Sequence, residues 1–309
     1  MGLYTVKRLV AIVITLFMII TLTFFLMHSI PGGPFTGEKN VPEVVMKALN
    51  EKYHLDDPLW KQYVDYLKSV AQFDLGPSFK YEGMTVNELI KAGLPVSAKV
   101  GLFSIILILL VGIPIGIFAA LYQNKWPDTL AMLLATLGVT IPSFVVGTIL
   151  LYVFSLKLGW TPAYGIDQWQ GYILPVVALS GYSLSFISRL TRSSMIEVFQ
   201  QDYMRTARGK GLRTSKIIVK HGLRNGLIPV VTVVGPLIAA MLTGSFVIEK
   251  IFALPGIGRH FVQSITNRDY TTIMGITIFY AVILVVIIFI VDLIYGLIDP
   301  RIKLNKGTK

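Results

Sequence analysis

The sequence predicts an all-α integral membrane protein, and three observations carry that prediction. Of 309 residues, 54% are hydrophobic and 15% charged, with a mean hydropathy of +0.67, too apolar for an ordinary soluble domain. Six uncharged runs of 17 to 28 positions recur along the chain, matching the roughly 20 residues that a helix needs to cross a bilayer core. The second half has one long polar interruption, Asp202 to Asn225, with seven Lys or Arg against one acidic residue.

Residues 9–30 follow Lys7 and Arg8 and hold 22 uncharged positions, which predicts the first span. A cleaved signal peptide is the alternative, but its apolar region runs to about 7 to 15 residues, and this run is longer and ends in Pro31-Gly32-Gly33-Pro34. From Pro31 to Val96 the chain turns polar and aromatic. Asn40 with Glu43 and Thr85 with Glu88 have capping-box spacing, and Asp57-Pro58 places a cap before a first-turn proline. Leu59, Trp60, Tyr63, Val64 and Leu67 form one apolar stripe, which predicts the packed side of a small external helical lobe.

Residues 100–122 form span two, with Gly112, Pro114 and Gly116 able to kink it. After a polar turn at 123–128, residues 129–156 make a third span long enough to tilt or break, interrupted by Gly138 and Pro142. An interfacial loop, 157–171, carries Trp, Tyr, Gly and Pro, and residues 172–188 are span four. In the basic stretch, Met204, Ala207 and Gly211 fall on one side of a helix. Gly211 can supply a left-handed stop, and Thr214 can cap a second helix reaching Asn225. Span five, 227–248, concentrates helix breakers at Pro229, Gly235 and Pro236. Span six is 270–291, with Asp292 placed to pair with Arg301 or a loop arginine.

Charge sets the orientation. Residues 1–8, 123–128, 189–226 and 292–309 collect 16 Lys or Arg and five acids, net +11, while the other side holds 12 and 12. By the positive-inside rule the first set is cytoplasmic, so both termini face the cytosol and the 31–96 lobe faces outward. The basic stretch alone could reflect that rule, bind anionic lipid, or be a nucleic-acid-binding helix-turn-helix. Because topology accounts for the whole excess of +11, no nucleic-acid partner is expected.

Catalytic motifs are scarce. No G-x-x-x-x-G-K-[ST] phosphate loop occurs, so the chain is not expected to hydrolyse ATP. Cysteine is absent, and His28, His54, His221 and His260 are dispersed, so neither a disulfide nor a metal site is expected. A membrane serine hydrolase built on Ser183 would need a histidine in another span, and the near absence of ionisable groups within the spans leaves that class a distant alternative.

Thr206-Ala207, a three-residue gap and Gly211 resemble the EAA loop of the membrane subunits of ABC importers. Arg205 stands where that pattern has Glu, and His221-Gly222-Leu223-Arg224 replaces its Ile-x-Leu-Pro, a variant similar to the peptide-transporting branch. The likeness extends along the chain through Pro31 to Pro34, Asp74-Leu75-Gly76, Ile141 to Phe144, Ser188 to Met195, Phe252 to Arg259, Asn267 to Tyr270 and Asp299-Pro300-Arg301, which look like the first permease subunit of oligopeptide and dipeptide importers.

The resemblance implies an architecture of residues 1–30 as tail and first span, 31–96 as external lobe, and 97–309 as transporter core with a coupling loop at 189–226. It implies a second related permease, two cytosolic ATPases that use ATP and Mg2+, an external peptide-binding protein and a peptide substrate, in a prokaryotic cell membrane. Nickel or another small solute on the same scaffold is the alternative. Coupling to the ATPases would fall on Asp202, Arg205, Thr206, Ala207, Arg208, Lys210, Gly211 and Leu212, with Ala207 and Gly211 as close-approach positions. Thr140, Pro142, Ser143, Gly235 and Pro236 are candidates for the translocation pathway, since broken helices beside a cavity can change shape.

Overall fold

In the computed structural model, residues 2–31, 34–35, 43–242 and 245–298 are described. In chain order the helices are α1 (Gly2–Ser29), α2 (Glu43–Lys52), α3 (Leu59–Ala71), α4 (Val86–Leu107), α5 (Ile113–Leu121), α6 (Trp126–Thr140), α7 (Ser143–Leu150), α8 (Ile173–Phe199), α9 (Asp202–Gly209), α10 (Thr214–Lys216), α11 (Leu223–Gly226), α12 (Ile228–Leu242), α13 (Phe246–Ile251), α14 (Ile257–Asn267) and α15 (Tyr270–Ile298). No strand occurs among the described residues beyond one isolated bridge, Pro77 to Thr85. Among them, five helices are long and apolar enough to cross a membrane, and a bent pair, Trp126–Thr140 with Ser143–Lys157, would be a sixth.

Several boundaries depart from the sequence reading. The second span begins at Val86, inside the expected lobe, and is continuous to Leu121 through a π-helical stretch, Ile108–Gly112. Pro114 explains the π stretch, because it has no N–H to return to the preceding turn. Thr85 and Glu88 start this helix as the expected capping box: the Thr85 amide donates to Glu88 Oε2 at 2.8 Å and the Glu88 amide to Thr85 Oγ1 at 3.3 Å. The third span breaks by 103° at Ile141-Pro142, where Pro142 forces the preceding residue out of helical geometry. The fourth helix runs on to Phe199, so Arg189 to Met195 belong to a span helix and not to a loop. Helix α12 continues through Pro236 to Leu242.

The chain divides into two compact units, residues 1–96 with 255–309, and residues 97–254. In the first, α3 lies against α1, with Tyr63 Oη 2.7 Å from Thr21 Oγ1 and its ring against Phe24 and Phe25. The expected apolar stripe on α3 is divided, since Trp60 is 69% exposed while Tyr63 packs. Asp57 caps nothing and pairs with Lys61 at 2.9 Å. Asp269 is fully buried before α15. Its carboxylate accepts from the Thr272 amide and hydroxyl, from Ser78 Oγ and from the Phe79 amide, tying the 78–79 turn to the helix start. Val86, Ile90, Ile257 and Ile276 form the apolar centre of this unit.

In the second unit α8 is the organising helix. Its buried residues include the small polar Ser180, Ser183, Ser185, Ser188 and Thr191 among larger apolar ones such as Leu174, Ile187 and Met195, and the small ones let neighbouring backbones approach. Ser180, Ser185 and Ser188 donate to carbonyls one turn back on their own helix, and the Ser180 hydroxyl also lies 3.4 Å from the Ser104 carbonyl of α4. Gly116 on α5 meets α8 so closely that a Cβ there would lie 2.5 Å from the Ser188 carbonyl oxygen. The expected Asn40 cap, the Asp292–Arg301 pair, the Thr214 cap, Gly32-Gly33, the Asp299-Pro300-Arg301 block and the C-terminal tail lie outside the described residues and side chains.

Candidate coupling and translocation sites

The Asp202 to Asn225 stretch folds as two helices around a fixed turn. Helix α9 starts at Gln201, whose carbonyl accepts from the Met204 amide at 3.0 Å, and Asp202 places a negative charge in the first turn. It ends at Lys210. There the Gly211 amide donates to the Arg208 carbonyl at 2.9 Å and the Leu212 amide to the Ala207 carbonyl at 3.4 Å, the two bonds of a Schellman motif. Gly211 has φ +70, the left-handed conformation that its lack of a Cβ permits, and no heavy atom would approach an added Cβ within 4 Å. Helix α10, a π-helical stretch Ile217–Gly222 and α11 form the second helix, reaching Gly226.

The inner face of α9 is anchored to its own chain. Met204 and Ala207 are buried with Val198 and Ile217, and Leu212 and Phe199 pack against them. The small side chain of Ala207 lets α9 approach Ile217. Gly211 does not share the Met204 face, because it lies past the helix end and is exposed. Asp202, Arg205, Thr206, Arg208 and Lys210 are exposed, with Asp202 and Arg205 3.7 Å apart. Tyr203 accepts a hydrogen bond from Asn225 Nδ2 at 2.9 Å, fixing the first helix to the second. The result is a short helix with its apolar side inward and its charges outward.

The pathway candidates separate. Thr140, Pro142 and Ser143 sit at the 103° break, with Thr140 and Pro142 exposed. Gly235 is buried and Pro236 exposed within the unbroken α12, so the expected break at these two residues is absent.

Two charged contacts escaped the sequence reading. Arg192 on α8 grips Asp128 with both Nε and Nη2, the latter at 2.6 Å from Oδ2, and the Asn124 amide adds a bond to the same carboxylate. The pair fixes the start of α6 on α8. Glu249, just past the uncharged run 227–248, is 1% exposed, and Ser97 Oγ donates to its Oε1 at 2.8 Å. An acid in the first turn after a Pro at a helix start signals Asp128, but nothing local identifies Arg192 as its partner. Between α6 and α8 lies a cleft of about 600 Å³, lined among others by Thr136, Tyr182, Phe186, Arg189 and Arg192.

Comparison with known proteins agrees with this architecture. The family described as binding-protein-dependent transport system inner membrane component matches residues 112–304, and its N-terminal companion matches residues 1–92. The dipeptide transport system permease protein DppB of Bacillus subtilis is 51% identical over 99% of both chains. The oligopeptide transport system permease protein OppB of Salmonella typhimurium is 45% identical over 97% of this chain and 99% of its own. Among solved structures, an inward-facing MetNI methionine ABC transporter has a TM-score of 0.59 at 16% identity, covering 69% of this chain and 97% of that one, a likeness of fold. The chain belongs to the binding-protein-dependent transport system inner membrane component family, in the branch of the dipeptide and oligopeptide ABC permeases.

Proposed function

We propose that this chain is a non-catalytic permease subunit of an ATP-driven peptide importer, crossing the cell membrane six times with both termini in the cytosol. It forms half of the translocation pathway with a second, related permease. Two cytosolic ATPases supply ATP hydrolysis with Mg2+, and an external binding protein delivers the peptide. The naming of its near-full-length relatives for dipeptides and oligopeptides supports peptide over nickel.

The observation that carries the coupling role is the construction of α9. Force from an ATPase can move a membrane helix only through a stiff contact, and Met204, Ala207 and Leu212 bind this helix to α8 through Val198 and Phe199. The exposed Asp202, Arg205, Thr206, Arg208 and Lys210 offer the polar contacts, and Gly211 leaves the turn open to a partner surface. Motion of α9 would pass along α8 to α6 through the Arg192–Asp128 clamp and shift the wall that bends at Thr140, Pro142 and Ser143. Gly235 and Pro236 on α12 are placed on the opposite wall by this reading.

The test is ATP-dependent uptake of Ala-Ala-Ala by proteoliposomes holding this chain with its sister permease, ATPases and binding protein. Uptake should require every component, and the purified chain alone should hydrolyse no ATP. ATP turnover by the chain alone, or nickel uptake without peptide uptake, would overturn the assignment.

A further inference from the structure

Helix α8 is the most enclosed of the candidate spans, yet one stripe of it is open: Tyr182, Phe186, Arg189 and Ser193, spaced four, three and four residues apart. That spacing puts them on one face. They form one wall of the 600 Å³ cleft, and Met132, Thr136 and Val139 of α6 form the other. A cleft of this size lies within the usual range for small-molecule sites, about 300–1,000 Å³.

The two arginines in this cleft differ. Arg192 has its charge answered by the bidentate bond to Asp128, whose side chain is 4% exposed. Arg189 forms no ion pair among the described residues and is exposed to the cleft. An arginine on a span helix is costly unless it faces water or an anion, and a guanidinium matches a carboxylate with two parallel hydrogen bonds. The rest of the lining suits a peptide: Tyr182 and Phe186 offer rings to side chains, and the Thr136 and Ser193 hydroxyls can meet backbone amides and carbonyls. Along α6 the cleft leads toward the break at Ile141-Pro142, the wall assigned to move.

We propose that this cleft is a subsite for the peptide's C-terminal carboxylate, with Arg189 as the group that binds it on the way to the cytosol. The inference rests on the peptide-import reading. The carboxylate is the one anionic group that every unmodified peptide shares, so a single fixed cation here serves substrates of any side-chain sequence. The Asp128–Arg192 clamp holds the α6 wall in place and leaves Arg189 as the recognition charge.

The experiment compares uptake of Ala-Ala-Ala with that of its C-terminal amide in the complete proteoliposome system, after confirming that the binding protein's affinity for each is the same in both arms. From wild type to Arg189→Gln, the acid-to-amide ratio of initial rates should fall by about tenfold, the effect of one charge-assisted contact. Arg189→Lys should retain part of the preference. An unchanged ratio in Arg189→Gln overturns the subsite. An equal loss of both peptides with loss of co-purifying ATPases would make Arg189 an assembly residue, and a loss confined to vesicles containing phosphatidylglycerol would make it a lipid headgroup contact; either result also overturns it. Failure of the wild-type system to transport either peptide would instead strike the import reading itself.

Discussion

Replacing Gly211 by valine tests the coupling turn with little ambiguity, because the structure separates backbone strain from steric clash. An added Cβ would meet no heavy atom within 4 Å, so the folded chain has room for a side chain. The cost lies in φ +70, where an L-residue is disfavoured by about 1–2 kcal/mol and β-branching adds crowding. If the turn relaxes to avoid that strain, it gives up the Gly211 and Leu212 amide bonds, each worth about 1 kcal/mol, and loosens Leu212 from the Met204 cluster. A cost of about 1–2 kcal/mol lowers the population of the native turn roughly 5- to 30-fold relative to alternatives. Peptide uptake and peptide-stimulated ATPase activity should fall together by a comparable factor, with normal amounts of protein in the membrane. Gly211→Asn is the control, since asparagine tolerates the left-handed region and should keep most activity. Wild-type uptake by Gly211→Val, or equal loss in both variants, would refute the role of the left-handed turn.

The remaining predictions concern orientation and packing. In this cysteine-free chain, Gln72→Cys on the exposed end of the lobe should react with an impermeant maleimide from outside, and Ser215→Cys only with a permeant one; the reverse pattern would invert the topology. Gly101→Ala would place a Cβ 2.3 Å from the Met241 carbonyl oxygen and 2.9 Å from its carbon, so α4 and α12 must separate. Overpacking of this kind costs about 1–3 kcal/mol, and the melting temperature in detergent should drop; an unshifted melt would show that the helices do not meet there. Ser97→Ala removes a buried donor to Glu249 and should destabilise by about 1–3 kcal/mol. The loss should shrink in a Glu249→Gln background, and a double-mutant cycle with no coupling would dismiss the contact.

What was legible in the sequence is what local pattern encodes. The uncharged runs mark the spans, the Thr85–Glu88 spacing forms the capping box that it predicts, and Gly211 ends α9 in the left-handed turn. The boundaries that moved have local causes too weak to read in advance. Helix α8 extends past Ser188 because packing continues there, with Thr191, Met195 and Val198 buried between the charged positions. Pro236 leaves α12 unbroken, whereas Pro142 breaks its span, although the two residues look equivalent in sequence. Whether a proline kinks or ends a helix depends on what satisfies the freed carbonyl, and that is a property of neighbouring helices.

The buried charged contacts were hidden for a different reason. Arg192 and Asp128 are 64 residues apart, Ser97 and Glu249 are 152 apart, and Ser78 and Asp269 are 191 apart. No helical or strand period reaches across such separations, and each partner taken alone reads as loop or interface. Hydrophobic periodicity positions a helix in the bilayer, but burial of a carboxylate demands a specific donor brought from elsewhere. The same logic sets Arg189 apart from Arg192. Both sit on one helix within a basic block, and only the fold shows that Asp128 satisfies one and leaves the other exposed to a cleft. A charge that the fold leaves without an internal partner beside a cavity is where the structure adds to the sequence a statement about ligand chemistry. Arg189, exposed on α8 and lining the cleft against α6, is such a charge.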